Sequence, residues 1–423
     1  MFRSLQEING ARKSMITPFF TSADKDLLRG ESTRDPLGLM PIWSKVGHQL
    51  IPGLATIVSR IDGIQGILFL YICLNSLSQE TQSKKVDAKI LLLLERLWEY
   101  HLYTYRDKNP CFGINRLNGA DFQLNFNGQG TVGTGLRQYY RGTCNNKGIL
   151  ANNLKTLNQP WQEICNRLLD TTLITWLEKQ IKQVDSEDYS LSASIAYEQV
   201  KASLVRFSKG SAELWLELEK ALITDAQQKR WIEHVVNNVK ELEDDKCSTR
   251  DLVQSIQNYA KDNDCDDWVR QCQNILNCEP FLQVLESAFV ILQESGRAAL
   301  GKLSNSLAQS APSDLDQICQ RFTQIQFPSK RLQGLQAIAR KLQQNDYRGF
   351  VIDLLLNYYP MICEERGKSP VVRLDGETVI AVSPHGSIPD WSKSSKNWHN
   401  GYFIKTQITL YTDLLSRMGN AHD

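Results

Sequence analysis

A long series of amphipathic segments between Trp161 and Tyr358 constrains the fold more than any other feature of the chain. Segments such as LLDTTLITWLEKQIKQV, AELWLELEKALI and FLQVLESAFVILQESG place apolar residues at positions i, i+3 or i+4, and i+7, which is the spacing of one face of an α-helix. Short polar stretches such as DSEDYS and KDNDCDD separate them. The helices vary in length and no motif recurs at a constant spacing, so the pattern predicts a helical bundle or a short α-solenoid.

Two further helices are predicted in the N-terminal third, over roughly Leu54–Leu77 and Val86–Tyr105. The second is apolar on nearly every face, which is typical of a helix at the centre of a core. The most apolar run, Gly63–Leu77, is shorter than the roughly 20 residues that a membrane span requires. We therefore predict a buried helix there and no membrane partner.

The C-terminal part has a different character. Asp375 and Gly376 stand between two β-rich runs within Pro370–Val382, which predicts a hairpin, and YFIKTQITLYTDLLSRMG predicts a final helix. The expected fold is mainly α, with a small α+β part at the C-terminus and a Gly-rich irregular segment with minor β structure in the N-terminal third. We expect three domains: an N-terminal helical domain over residues 1–155, an acidic helical domain over 156–360, and the α+β element over 361–423.

The cysteines favour a cytoplasmic protein, and the overall charge shows no basic excess of the kind that binds nucleic acid. The formal net charge is only +1, so no global basic bias indicates nucleic acid or an anionic membrane. The N-terminal sequence MFRSLQEINGARKS lacks the apolar stretch of a signal peptide. The ten cysteines are scattered without a paired framework, as expected of reduced thiols in a cytoplasm.

The stretch NFNGQGTVGTGLRQYYRG, from Asn125 to Gly142, has the letters of a dinucleotide fingerprint. Its glycines give G-x-G-x-x-G at Gly128, Gly130 and Gly133. A working fingerprint needs a second strand and an acidic residue about 20 positions later, whereas here a further loop follows and Asn152 and Asn153 stand near that place. We therefore predict no nucleotide cofactor.

What remains of this stretch is a Gly-rich turn followed by a basic helix. Arg137 and Arg141 lie four residues apart and share one helical face, with Tyr139 and Tyr140 between them, and such a pair suits phosphate groups or stacked bases. The predicted phosphate- or nucleic-acid-binding residues are Arg116, Gly128, Gly130, Gly133, Arg137, Arg141 and Lys147. The alternative is a plain structural turn, in which one tyrosine packs in the core and the arginines pair with acidic residues of the middle domain.

No metal site, cofactor or catalytic residue is predicted. Cys265, Cys272 and Cys278 are spaced by seven and six residues, unlike the close pairs of structural zinc sites, so we expect buried thiols. Sequence motifs of a nucleophile are absent. One cluster remains open as a hydrolase or nuclease alternative, because its three members could meet in space: His385, Asp390 and His399.

The run DPLGLMPIWSKVGHQLIPGLATIVSRIDGIQGILFLY, from Asp35 to Tyr71, resembles a pattern in uncharacterised proteins of prokaryotic anti-phage defence islands. The segment Arg137–Tyr140 and the ending from Trp398 through the final helix are similar in arrangement. Members of that group often have an aromatic pair after an arginine where this chain has SRIDGIQGILFLY, so the resemblance is incomplete. It implies a genomic context and no particular reaction.

Together these features predict a non-catalytic helical subunit of a multi-protein assembly that acts on nucleic acid in anti-phage defence. The expected partners are an ATPase, a helicase or a nuclease, together with DNA or RNA. Two alternatives stay open: a pure protein–protein adaptor for an ATPase or nuclease, and a hydrolase or nuclease with its site near His385, Asp390 and His399.

Overall fold

The protein is mainly α-helical in a computed structural model, which confirms the predicted fold class. The structure describes residues 35–77, 84–105, 123–125, 135–153, 155–183, 190–223, 225–238, 247–382 and 388–420. The helices of the first part are α1 Met40–Leu50, α2 Ile61–Asn75, α3 Lys84–Tyr105, α4 Leu136–Asn146, α5 Gln159–Leu168, α6 Thr171–Ile181, α7 Ala193–Lys209, α8 Ala212–Leu222, α9 Ala226–Asn238 and α10 Thr249–Asp262. Those of the second part are α11 Asp266–Glu294, α12 Leu300–Gln309, α13 Leu315–Thr323, α14 Lys330–Gln343, α15 Tyr347–Ile352, α16 Tyr359–Glu365 and α17 Ile404–Asn420.

The predicted helices of the N-terminal third are present, with one shifted start. α3 begins two residues before the predicted Val86, whereas α2 begins at Ile61 rather than near Leu54. Arg60 has an extended backbone at the start of α2, and the backbone N–H of Ile61 donates to a carboxylate oxygen of Asp413 at 2.9 Å. The chain between residues 54 and 60 is thus held in an irregular conformation by tertiary contacts, which local periodicity does not report.

Two small antiparallel sheets accompany the helices. β1 (Gln123–Asn125) pairs with β2 (Ser190–Ser192), and β1 lies in the N-terminal third, where minor β structure was predicted. The predicted C-terminal hairpin is formed by β4 (Val372–Asp375) and β5 (Thr378–Ala381). A strand that the sequence did not indicate, β3 (Arg297–Ala299), completes a sheet of order β3-β5-β4.

The described chain divides into two compact units. The first unit comprises residues 35–47 and Asp267–Asn400, and the second comprises His48–Asp266 and residues 401–420. This division differs from the three consecutive domains expected from composition, because each unit combines segments that are far apart in the sequence.

The long helix α11 begins one residue before the first unit and has an apolar character. It is the one described helix that is long and apolar enough to cross a membrane by length and composition, and 72% of its most apolar window is buried inside the protein. Its Trp268, Cys272 and Phe281 are among the buried side chains. A helix in the core of a folded unit has this same composition.

The D-P-L-G-L motif is a structural anchor of the first unit. The carboxylate of Asp35 accepts the backbone N–H of Leu39 at 2.6 Å at the start of α1 and pairs with Arg366 at 2.9 Å. The Tyr358 hydroxyl donates to the backbone carbonyl of Leu37 at 2.9 Å. The motif therefore fixes α1 to the helices that precede the C-terminal hairpin.

A buried ionic network holds the last helix, α17, against other helices of the second unit. Arg417 is 7% exposed and lies 2.8 Å from the carboxylate of Asp62 on α2. Its Nε also donates to Asp413 at 3.0 Å, and the guanidinium carbon stands 5.4 Å from the centre of the Trp215 ring. Two carboxylates thus flank one buried guanidinium, which ties α17 to α2 and α8.

Candidate anion-binding surface at helix α4

Helix α4 carries the arginine pair predicted from the sequence, and its inner side is firmly packed. Leu136, Tyr140, Thr143 and Cys144 are buried. The Tyr140 ring lies so close to α2 that a Cβ added to Gly63 would stand 2.1 Å from it; only glycine permits this approach. Of the two tyrosines considered for the core, Tyr140 takes that place, and α4 is held in one orientation.

The outer side of α4 presents the arginines. Arg141 is exposed and the Arg137 side chain is 34% exposed. Both guanidinium groups act in the same direction on the hydroxyl of Tyr71: burial raises the pKa of Tyr71, and the positive charges of Arg141 and Arg137 lower it in part. Because both arginines lie within α4, four residues apart, they share one side of the helix, as their spacing predicts.

The N-terminus of α4 already faces a carboxylate of the protein. The backbone N–H of Arg137 donates to Glu95 Oε1 at 2.7 Å, and Arg137 Nε lies 3.8 Å from Glu95 Oε2. A Cβ at Gly135 would come within 2.3 Å of the same carboxylate. Glu95 on α3 thus occupies the place where a helix N-terminus attracts an anion, and a phosphate at α4 would meet the arginine side chains instead.

A second carboxylate of α3 lies deeper. Glu99 is 1% exposed, and burial raises its pKa to about 8, against the opposing effect of Arg96, which lies 3.5 Å away. Glu95 raises the pKa of Glu99 further by like-charge repulsion. Near neutral pH Glu99 is therefore largely protonated.

Buried His101 continues this polar strip of α3. Its Nδ1 lies 3.3 Å from the Tyr197 hydroxyl, and its ring stacks on Tyr105 with centroids 5.1 Å apart. This strip was not predicted, because the segment of α3 is apolar on nearly every face. The signal was present, since Glu95 and Glu99 stand four apart and so share one face of a helix expected in the core.

Lys147, the predicted basic residue just beyond the end of α4, has a contact of its own. Its Nζ donates to the backbone carbonyl of Leu222 at 3.1 Å, at the end of α8. Burial lowers the pKa of Lys147 to about 8. The lysine lines a separate cavity in the second unit.

The remaining predicted site residues lie mostly outside the described chain. Arg116, Gly128, Gly130, Gly133 and His385 fall in segments that the structure leaves undescribed, so their role stays a prediction.

The two described members of the C-terminal cluster are placed in the first unit. The exposed carboxylate of Asp390 accepts hydrogen bonds from Ser392 at 2.5 Å and from Lys393 at 2.9 Å, and these lower its pKa. His399 is exposed, and its backbone N–H donates to Glu279 Oε1 at 2.8 Å.

Among the residues that the structure describes, no group of three or more His, Cys, Asp or Glu side chains is placed to hold a metal ion. Cys272 and Cys278 are buried, as expected, whereas Cys265 is half-buried. No family model, curated protein or solved structure matches the chain.

Proposed function

We propose that the protein is a non-catalytic, cytoplasmic helical subunit of a multi-protein assembly that acts on nucleic acid, in prokaryotic anti-phage defence. The observation that supports this most directly is the arrangement of α4. Its inner side is locked against α2, and its outer side presents Arg141 and Arg137 to solvent. A rigid helix with two arginines on one side suits phosphate groups, which arginine binds in a bidentate manner.

The geometry also ranks the contributions of the basic residues. Arg141 is the more exposed arginine, and Arg137 shares its position with Glu95. Arg141 would then be the principal phosphate contact, and Arg137 a weaker one. Lys147, whose Nζ donates to the backbone carbonyl of Leu222, would be a weaker contact than Arg141.

A gel-shift experiment with single- and double-stranded DNA and RNA at about 50 mM salt tests the proposal, since phosphate contacts are strong at low ionic strength. Arg141→Ala should weaken binding about tenfold. It should also reduce the slope of log K against log salt concentration by about one. Arg137→Ala should have a smaller effect. The matched control is Arg250→Ala, which removes another exposed arginine, on α10.

Two results would contradict the proposal. The first is the absence of any shift for the unmodified protein at low salt. The second is an equal loss of binding for Arg141→Ala and Arg250→Ala. In either case, the adaptor alternative would be favoured if an ATPase or nuclease copurified with the protein and the arginine substitutions did not change that copurification.

A further inference from the structure

A cavity of about 470 Å³ opens beside Lys147 in the second unit. It is formed by the end of α4, the start of α5 and the last turns of α8. The residues that matter for its chemistry are Lys147, Trp161, Glu217, Lys220 and Ala221. The predicted phosphate surface on α4 does not include this cavity.

The two lysines of the cavity have different surroundings. Lys220 is 72% exposed, and its Nζ pairs with Glu217 at 3.0 Å. Lys147 is half-buried, and its Nζ donates to the backbone carbonyl of Leu222. A neutral carbonyl compensates a buried positive charge less than a carboxylate does. In agreement with this, loss of hydration lowers the pKa of Lys147 to about 8.

An amine in this position combines two properties that a surface lysine does not combine. A substantial share is unprotonated near neutral pH, because an ordinary lysine has a pKa of about 10.4. Lys147 also lines the adjoining cavity, which offers a route for a small reagent. Lysines activated in this way by desolvation serve as nucleophiles.

We propose that Lys147 is an acylation site that reacts with small acyl thioesters entering this cavity. The unprotonated nitrogen attacks the thioester carbonyl carbon, a C–N bond forms, and the C–S bond breaks. The thiolate leaves and takes up the surplus proton from the nitrogen, so the products are an amide and a thiol. The amide retains one N–H, which can still donate to the carbonyl of Leu222, so the end of α8 keeps its partner.

The test treats the full-length protein with N,S-diacetylcysteamine, a small acetyl thioester, between about pH 6 and pH 10, a range that brackets both ordinary and lowered lysine pKa values. Acetylation of each lysine is followed by peptide mass spectrometry. Lys229 is the internal reference, because a hydrogen bond to Glu219 raises its pKa. At about pH 7.5 Lys147 should react about tenfold faster than Lys229, and its rate should level off near pH 8. Equal rates, or a Lys147 rate that is still rising at about pH 10, would overturn the proposal.

A second arm tests whether the cavity is the route. Ala221→Leu narrows the cavity and should slow acetylation of Lys147 several-fold without changing Lys229. Ala202→Leu makes the same substitution at an exposed position of α7 and should leave both rates unchanged. An unchanged Lys147 rate in Ala221→Leu would show that the reagent does not use the cavity. The pH profile of the unmodified protein decides the reactivity of Lys147 independently of this variant.

Discussion

The two units differ in how they treat buried charge. In its described residues the first unit buries one charged side chain, Glu279 on α11, and supplies it fully with donors. The backbone N–H groups of His399 and Asn400 lie 2.8 and 3.1 Å from Oε1, and Gln283 and the Asn400 side chain donate as well. The second unit buries a larger set, which comprises Asp62, Glu95, Arg96, Glu99, His101 and Arg417.

The difference shows which unit buries ionisable groups whose burial costs free energy. In the first unit the carboxylate of Glu279 performs a structural task, because it fixes the backbone that precedes α17. In the second unit Glu99 and Lys147 have pKa values moved toward neutrality by burial. Perturbed groups of this kind concentrate at functional sites, and both lie in the unit that carries α4.

The largest effect is expected in the second unit, at the buried guanidinium. Arg417→Met leaves Asp62 and Asp413 as neighbouring carboxylates without their cation, so the free energy of unfolding should fall by about 3–5 kcal/mol. Urea denaturation followed by tryptophan fluorescence measures it. The control is Arg167→Met, which breaks an exposed ion pair with Glu213, 57% and 58% exposed, and should cost under about 1 kcal/mol. Equal losses would show that burial does not distinguish the two pairs.

The corresponding experiment in the first unit is Glu279→Ala. The N–H groups of His399 and Asn400 lose their acceptor, and we expect a loss of about 3 kcal/mol in the free energy of unfolding. Glu377→Ala, which removes a 68% exposed partner of Arg348, is the control and should cost under about 1 kcal/mol. If Glu279→Ala proved more damaging than Arg417→Met, the contrast between the units would be reversed.

The smallest effect depends on pH and concerns Glu99. Its folded pKa of about 8 lies above the value of about 4.3 expected in the unfolded chain. The folded state therefore holds the proton more tightly, and this contribution to stability is complete below about pH 4 and disappears as the pH rises through 8. Glu99→Gln cannot ionise, so relative to the unmodified protein it should gain about 2 kcal/mol between about pH 6.5 and pH 9.

Denaturation at both pH values checks this prediction, with the exposed Glu163→Gln as control. The control should differ from the unmodified protein by no more than about 0.5 kcal/mol at either pH. A stability difference for Glu99→Gln that stays constant from about pH 6.5 to pH 9 would mean that Glu99 is already ionised in the folded protein.

Local periodicity was sufficient for the helices and for one hairpin. α3 and α17 follow from the 3.6-residue repeat, and the hairpin of β4 and β5 follows from Asp375 and Gly376 between alternating residues. β3 was missed because its three residues carry no pattern, and their pairing with β5 connects positions about 80 residues apart.

The candidate site was predictable only in part. Arg137 and Arg141 share a side of α4 as their spacing indicates, whereas the contact of Arg137 with Glu95 joins positions 42 residues apart. The position of Lys147 against the end of α8 depends on tertiary packing in the same way. The spacing of apolar residues predicts the type of a secondary-structure element. It does not predict which distant element that element packs against.

The interleaved arrangement of the two units has a consequence for synthesis on the ribosome. The first unit needs residues 35–47 and also Asp267–Asn400, and the second needs α17. Neither unit can complete its core from the first half of the nascent chain, because the required partners emerge late and long loops must close. More than 300 residues must therefore be synthesised after the apolar helices α2 and α3 before Arg417 can pair with Asp62. During that interval we expect the nascent chain to depend on chaperones that shield apolar surfaces.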